Sequence, residues 1–141
     1  MKYEVLEHRA DLKIRAFGKT KEELFSNMVM GMIAGLRPEI RSTKSHAYRQ
    51  AGEIRKIKIK SLDLSSLLVD FLSEVLYLIQ TNQEIYHKVE FSRLTDTEIE
   101  AGLFGQKVEK FGEEIKAVTH HGLEIRQTED KNWETIVLFD I

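Results

Sequence analysis

Two stretches of the chain alternate hydrophobic and polar residues with the period of a β-strand. The segment LKIRAF at residues 12–17 alternates and stops at Gly18, and KIKIK at residues 56–60 alternates strictly. Because successive side chains of a strand point to opposite faces, each segment predicts a strand with one face on the core. The lysines of the second segment predict that its other face contacts water.

Two further stretches have the period of an amphipathic helix. The first begins at a capping box formed by Thr20 and Glu23, and its apolar residues recur at helical spacing until Pro38. The second follows a cap at Ser61 or Asp63, and its leucines cover more than one stripe. We therefore expect the second helix to lie at the centre of the core.

The C-terminal half has the pattern of strands joined by short polar turns. The predicted hairpins are residues 85–94 with 98–104, joined by 95–97, and residues 118–127 with 133–139, joined by 128–132. The chain has one proline and no repeat or linker, so residues 1–141 form one predicted domain. The order of elements predicts an α+β fold with a mainly antiparallel sheet packed against two amphipathic helices.

The amino-acid composition excludes several kinds of functional site. The 141 residues include no cysteine, which excludes disulfides, thiolate metal sites and thiol nucleophiles. The first ten residues are too charged for a signal peptide, and no uncharged run approaches the length of a membrane span, so we expect a cytoplasmic protein without membrane contact. Neither a phosphate-binding glycine loop nor a Gly-x-Ser-x-Gly turn is present.

The formal net charge is only −2, but the charge is unevenly spread. Residues 41–60 hold seven basic side chains and one acidic side chain. In residues 61–87 there are acidic side chains but no Lys or Arg. The lysines at 56, 58 and 60 could follow a phosphate backbone, although no aromatic residue interleaves with them to stack bases. A lysine-lined edge strand that blocks aggregation explains them equally well.

Three groups are candidate metal ligands. The chain ends at Asp140 and Ile141 directly after an apolar strand, so two carboxylates lie within one residue of each other. Asp11 precedes the first alternating strand. If the first and last strands are neighbours, Asp11, Asp140 and the terminal carboxylate of Ile141 make an all-oxygen cluster suited to Ca²⁺, Mg²⁺ or Mn²⁺. Otherwise Asp140 is a solvated acid and Asp11 belongs to a turn.

Other polar residues are weaker candidates for a functional site. His120 and His121 are adjacent, and on a strand their side chains would point to opposite faces and could not chelate one ion. Lys116 stands at the start of an otherwise uncharged segment and by itself is a solvated lysine.

Several segments together resemble the archease family. They are residues 8–14 (HRADLKI), 18–25 (GKTKEELF), 63–74 (DLSSLLVDFLSE) and 114–124 (EIKAVTHHGLE), with the terminal Asp140 and Ile141. The resemblance runs from end to end in the family's order. The segment around Lys116 and the abrupt Asp-Ile ending are its most specific parts.

The resemblance implies a protein cofactor and not an enzyme. Archeases activate the tRNA-splicing RNA ligase that uses GTP and Mn²⁺, by promoting guanylylation of the ligase and multiple turnover, so tRNA is a partner only through the ligase. The family's metal-binding acids correspond here to Asp11 and Asp140 with the Ile141 carboxylate, and its functional lysine corresponds to Lys116. The alternatives are an RNA-binding chaperone and a stand-alone metal-dependent phosphohydrolase.

Overall fold

The structure, a computed structural model, describes residues 1–7, 11–40 and 54–141. Most of the predicted basic stretch and the residues just before Asp11 lie outside the described residues. The elements are β1 (Tyr3–Glu7), β2 (Asp11–Gly18), α1 (Lys21–Leu36), β3 (Pro38–Glu39), β4 (Ile54–Lys60), α2 (Leu64–Asn82), β5 (Glu84–Leu94), β6 (Glu98–Lys107), β7 (Lys110–Phe111), β8 (Ala117–Thr119), β9 (Ile125–Gln127) and β10 (Trp133–Asp140).

The strands in the described part of the chain form three antiparallel sheets. The largest, called here the terminal sheet, has the order β1-β2-β10-β8, and β9 also pairs with β10. The second, called the hairpin sheet, has the order β4-β6-β5, and β3 pairs with β7 in a small third sheet. With two helices and antiparallel sheets among the described residues, the predicted α+β class is confirmed.

Local sequence explains where both helices begin. The Thr20 hydroxyl accepts a hydrogen bond from the Glu23 amide at 3.1 Å, as the predicted capping box requires. Asp63, and not Ser61, caps α2 by accepting from the Ser66 amide at 2.8 Å. Each helix ends at a residue with positive φ that donates its amide to the last turn, Arg37 for α1 and Gln83 for α2.

The core lies where the helices meet the two larger sheets. Helix α1 contacts β1, β2 and β10 of the terminal sheet and β5 of the hairpin sheet, and α2 contacts β4, β5, β6 and β8. Phe25 and Phe71, one from each helix, stack at 5.8 Å between ring centroids, and both contact Phe91 of β5. Helix α2 is long and apolar enough to cross a membrane by length and composition alone, but its Leu67, Phe71 and neighbouring side chains are buried in this core.

Two differences from the predicted strands concern the terminal sheet. Strand β1 was not predicted. The prediction of one strand over residues 118–127 is wrong, because the chain turns between β8 and β9: Gly122 has a φ of 63°, and the Leu123 amide donates to the His120 carbonyl at 3.1 Å. The two short strands pair with different parts of β10, and β9 completes the predicted hairpin across residues 128–132.

Candidate metal site at the end of the terminal sheet

The acidic residues singled out from the sequence meet at one end of the terminal sheet. Strands β2 and β10 are antiparallel neighbours, and their register places Asp140 directly opposite Asp11. The next pair along, Leu12 with Phe139, turns toward the core. Because strand side chains alternate, Asp11 and Asp140 share the outer face. The metal-ligand prediction required the first alternating strand and the last strand to be neighbours, and they are.

This register brings two like charges together. Directly opposed residues of antiparallel strands have Cβ atoms roughly 4.5–5.5 Å apart, and like charges in that arrangement repel. Asp140 is exposed and Asp11 half-buried. A divalent cation, whose preferred ligands are carboxylate oxygens, would turn this repulsion into attraction.

The third predicted ligand and the predicted lysine lie beside Asp140. The Ile141 side chain packs against the core, which anchors the last residue and its carboxylate next to Asp140. The Lys116 amide donates to the Asp140 carbonyl at 2.6 Å, directly before β8 begins its pairing with β10. The side chain of Lys116 is exposed. The sheet therefore gathers Asp11, Lys116, Asp140 and Ile141 at one end.

Residues that sequence patterns did not single out hold this end in place. The Gln80 side-chain amide of α2 donates to the Ile115 carbonyl at 2.9 Å, and the Ile115 side chain is fully buried. A Cβ on Gly35 would lie 2.5 Å from Leu12 Cδ2, so a larger residue in the last turn of α1 would force the Leu12 side chain at the start of β2 to move. Neither role has a local signature, because each depends on an element distant in sequence.

The expected metal ligands are all oxygen donors. Within residues 1–7, 11–40 and 54–141, no group of three or more His, Asp or Glu side chains has a metal-binding arrangement. Asp11 and Asp140 supply two side-chain carboxylates, and the third expected ligand, the terminal carboxylate of Ile141, belongs to the main chain. Oxygen donors of this kind fit Ca²⁺, Mg²⁺ or Mn²⁺ and do not favour zinc.

The histidines are placed differently from the sequence interpretation. His120 and His121 follow β8 and are not on a strand, so the alternation argument does not apply to them. His120 instead influences the pKa of Asp63, the residue that caps α2. The pKa of the Asp63 carboxyl is lowered chiefly by hydrogen bonds from Ser66, with a smaller contribution from the charge of His120.

A second carboxylate cluster, missed from the sequence, lies in the hairpin sheet. Glu84 is 2% exposed, and it accepts hydrogen bonds at 2.7 Å from Arg55 and from the Tyr86 hydroxyl. Lys107 lies 3.7 Å away. Burial acts to raise the pKa of Glu84, but the bonds from Arg55 and Tyr86 outweigh it, and the net pKa is lowered. Burial and Glu84 together raise the pKa of Tyr86 strongly.

Fold and site together define the class: a small α+β protein whose described residues form two helices and antiparallel sheets, with an acidic end where β10 meets β2. Residues 3–141 match the archease protein family (MTH1598/TM1083). Protein archease of Methanosarcina barkeri is 39% identical, covering 99% of this chain and 95% of the relative. The chain belongs to the archease family.

Solved structures agree with this assignment. The solution structure of protein 1598 from Methanobacterium thermoautotrophicum matches with a TM-score of 0.73 and 27% identity, covering 99% of this chain and 98% of that one. The crystal structure of an archease from Thermotoga maritima, described as a possible chaperone, has a TM-score of 0.65 and 20% identity over 96% of this chain and 94% of its own. The second likeness supports the fold alone.

Proposed function

We propose that this protein activates the GTP- and Mn-dependent tRNA-splicing RNA ligase, promoting guanylylation of the ligase and multiple-turnover ligation. Membership of the archease family supports the proposal, and the observation that carries it is the register that sets Asp11 opposite Asp140. The protein acts as a cytoplasmic protein cofactor without its own catalytic residues. Transfer RNA is reached through the ligase.

In this proposal the acidic end holds one divalent ion, Ca²⁺, Mg²⁺ or Mn²⁺, with Asp11, Asp140 and the Ile141 carboxylate as ligands. The ion supplies positive charge that can align the phosphates of GTP at the ligase. Lys116 adds a second positive charge, because its backbone is hydrogen-bonded to Asp140 and its side chain is free to extend into solvent. The residues of this chain orient charge, and the ligase performs the covalent step.

The test is GTP-dependent guanylylation of the cognate RNA ligase at limiting Mn²⁺. The reactions contain no addition, wild type, Asp140→Asn, Lys116→Gln or the control Asp130→Asn, which removes a carboxylate from the exposed turn between β9 and β10. We expect wild type and Asp130→Asn to accelerate the covalent step equally, and Asp140→Asn and Lys116→Gln to lose more than about tenfold of that acceleration.

One result would refute the ligase role, and a second would refute the role of the acidic end in it. The first is a competent ligase whose guanylylation rate is unchanged by wild-type protein. The second is full activation by folded Asp140→Asn, which would leave the ligase role standing but remove the acidic end from it. Release of phosphate from esters without any ligase would favour the phosphohydrolase alternative instead.

A further inference from the structure

The outer face of the hairpin sheet combines apolar, aromatic and basic groups. Side chains of β4 and β6 alternate, and Ile57, Ala101 and Leu103 turn toward the helices and are buried. The opposite side carries a group of residues named here the lysine face: Ile54, Lys56 and Lys58 of β4, Lys88 of β5, and Gly102 and Phe104 of β6. Two acidic residues, Glu90 of β5 and Glu100 of β6, lie on the same side. This face is remote in sequence from the acidic end and is not used by the proposed activation.

The lysine face is concave. A cavity of about 830 Å³ opens on it, with Ile54, Gly102 and Phe104 in its lining. Gly102 has no side chain, which leaves a gap in the outer face of the central strand between Ile54 and Phe104. A Cβ at this position would make ordinary van der Waals contacts with Ile54 at 3.5 Å and Phe104 at 3.7 Å. Ile54 is 51% exposed, so its packing beside the gap does not hide it from solvent. The gap has an apolar wall on which a flat, partly apolar group can lie.

Basic groups surround this gap. The Lys88 ammonium lies 5.4 Å from the centroid of the Phe104 ring. Lys88 pairs with Glu90 at 2.8 Å and Lys58 pairs with Glu100 at 3.3 Å, while Lys56 has no ion pair within the described part of the chain. These pairs are exposed, and exposed ion pairs contribute little. An anionic ligand that displaces Glu90 and Glu100 from these weak pairs can therefore contact all three ammonium groups.

An aromatic ring beside movable cations is the combination that binds single-stranded nucleic acid. Bases stack on the ring without regard to sequence, and the backbone phosphates follow the positive groups. Along β4 alone no aromatic residue interleaves with the lysines, but the sheet register brings Phe104 of β6 opposite Ile54 and next to Lys88. An acidic peptide would use the lysines and leave the ring without a partner.

We propose that the lysine face binds single-stranded RNA directly, with one base against Phe104 in the gap at Gly102 and flanking phosphates on Lys56, Lys58 and Lys88. The choice of RNA as the nucleic acid rests on the proposed function, whereas the binding surface does not. Binding needs neither the ligase nor the acidic end, so it is tested with this protein alone.

The experiment measures fluorescence anisotropy of a labelled 12-nucleotide oligouridine with the full chain, from low to moderate salt. We expect Phe104→Leu to weaken binding about tenfold with little change in salt dependence. The triple variant Lys56→Gln, Lys58→Gln, Lys88→Gln should lower the slope of log affinity against log salt by about 2, because each phosphate contact on a single strand contributes roughly 0.7.

The matched control is a triple variant with the same change in net charge, Lys2→Gln, Lys19→Gln, Lys110→Gln, whose lysines are all exposed and outside the lysine face. It should bind like wild type. Equal losses in the two triple variants would overturn the proposal, since they would show attraction by net charge alone. Absence of binding at low salt, unchanged binding by Phe104→Leu, or equally effective competition by polyglutamate would also overturn it. None of these results bears on ligase activation.

Discussion

Two carboxylate sites in the described part of the chain have opposite electrostatic surroundings. Glu84 is buried in the hairpin sheet, and a guanidinium, a phenol and an ammonium group surround it. At the acidic end of the terminal sheet, Asp11 and Asp140 face each other across neighbouring strands with a third carboxylate one residue away. The first arrangement satisfies a charge inside the fold. The second concentrates like charge at the surface.

The difference separates a structural role from the binding role that we propose for the acidic end. Loss of the partners of a buried carboxylate would cost free energy, so the neighbours of Glu84 stabilise its charge. Directly opposed carboxylates repel each other, and a bound divalent cation would turn this repulsion into attraction. Removing an acid should therefore have opposite effects on stability at the two clusters.

The largest expected effect is at the buried cluster. Glu84→Gln should lower the free energy of unfolding by about 2 kcal/mol, because hydrogen bonds to a charged group are replaced and Arg55 loses its counter-charge. Urea unfolding at pH 7 measures this. The control Glu90→Gln, which breaks an exposed pair with Lys88, should change the same quantity by less than about 0.5 kcal/mol.

The pH dependence of this effect has a definite sign. Because the pKa of Glu84 is lower in the folded state, its contribution is present above its unfolded pKa, near 4.5, and is lost as the pH falls through the lowered folded value. The difference in the free energy of unfolding between wild type and Glu84→Gln should disappear on acidification below about pH 4.5. A difference that widens there would contradict the description of this cluster.

The next effect concerns cation binding at the acidic end. At a concentration ten times its dissociation constant, Mn²⁺ or Ca²⁺ should raise the free energy of unfolding of wild type by about 1.4 kcal/mol. Chelation should reverse the gain, and Asp11→Asn or Asp140→Asn should abolish it. Thermal unfolding with and without chelator gives the measurement, and Asp130→Asn should behave like wild type.

A smaller effect on stability is expected from the hydrogen bond that joins α2 to the segment before β8. Gln80→Ala removes the hydrogen bond to the Ile115 carbonyl and should lower the free energy of unfolding by about 1 kcal/mol. If this bond also positions the Lys116 backbone against Asp140, the variant should bind Mn²⁺ more weakly. Titration calorimetry would show whether the metal affinity falls together with the stability or remains unchanged.

The smallest effect has the reverse sign. Without metal and at low salt, Asp140→Asn should raise the free energy of unfolding by about 0.5 kcal/mol, because it removes repulsion from Asp11. Salt should erase the gain by screening the repulsion. Urea unfolding in chelator resolves such a difference when compared with Asp130→Asn, and a loss of stability would argue that Asp140 is held by attractive contacts.

Much of the fold was predictable because its signals are local. The period of apolar residues identified both helices, and the capping groups of Thr20 and Asp63 marked their first turns within a residue or two. The β5–β6 hairpin follows from two strand patterns joined by a three-residue turn. The break between β8 and β9 was missed, since it depends on where each short strand pairs along β10.

The sequence alone predicted the type of donor group: it has no cysteine, Asp140 follows an apolar strand, and Asp11 stands at the start of β2. Only the tertiary structure decided that these acids meet, because strand neighbours are chosen by packing between segments more than a hundred residues apart in sequence. Pairing between strands also decides that Arg55 of β4 contacts Glu84 of β5, and that Phe104 of β6 lies opposite Ile54 of β4. Local patterns specify elements and donor types, and the pairing of distant strands specifies which groups share a site.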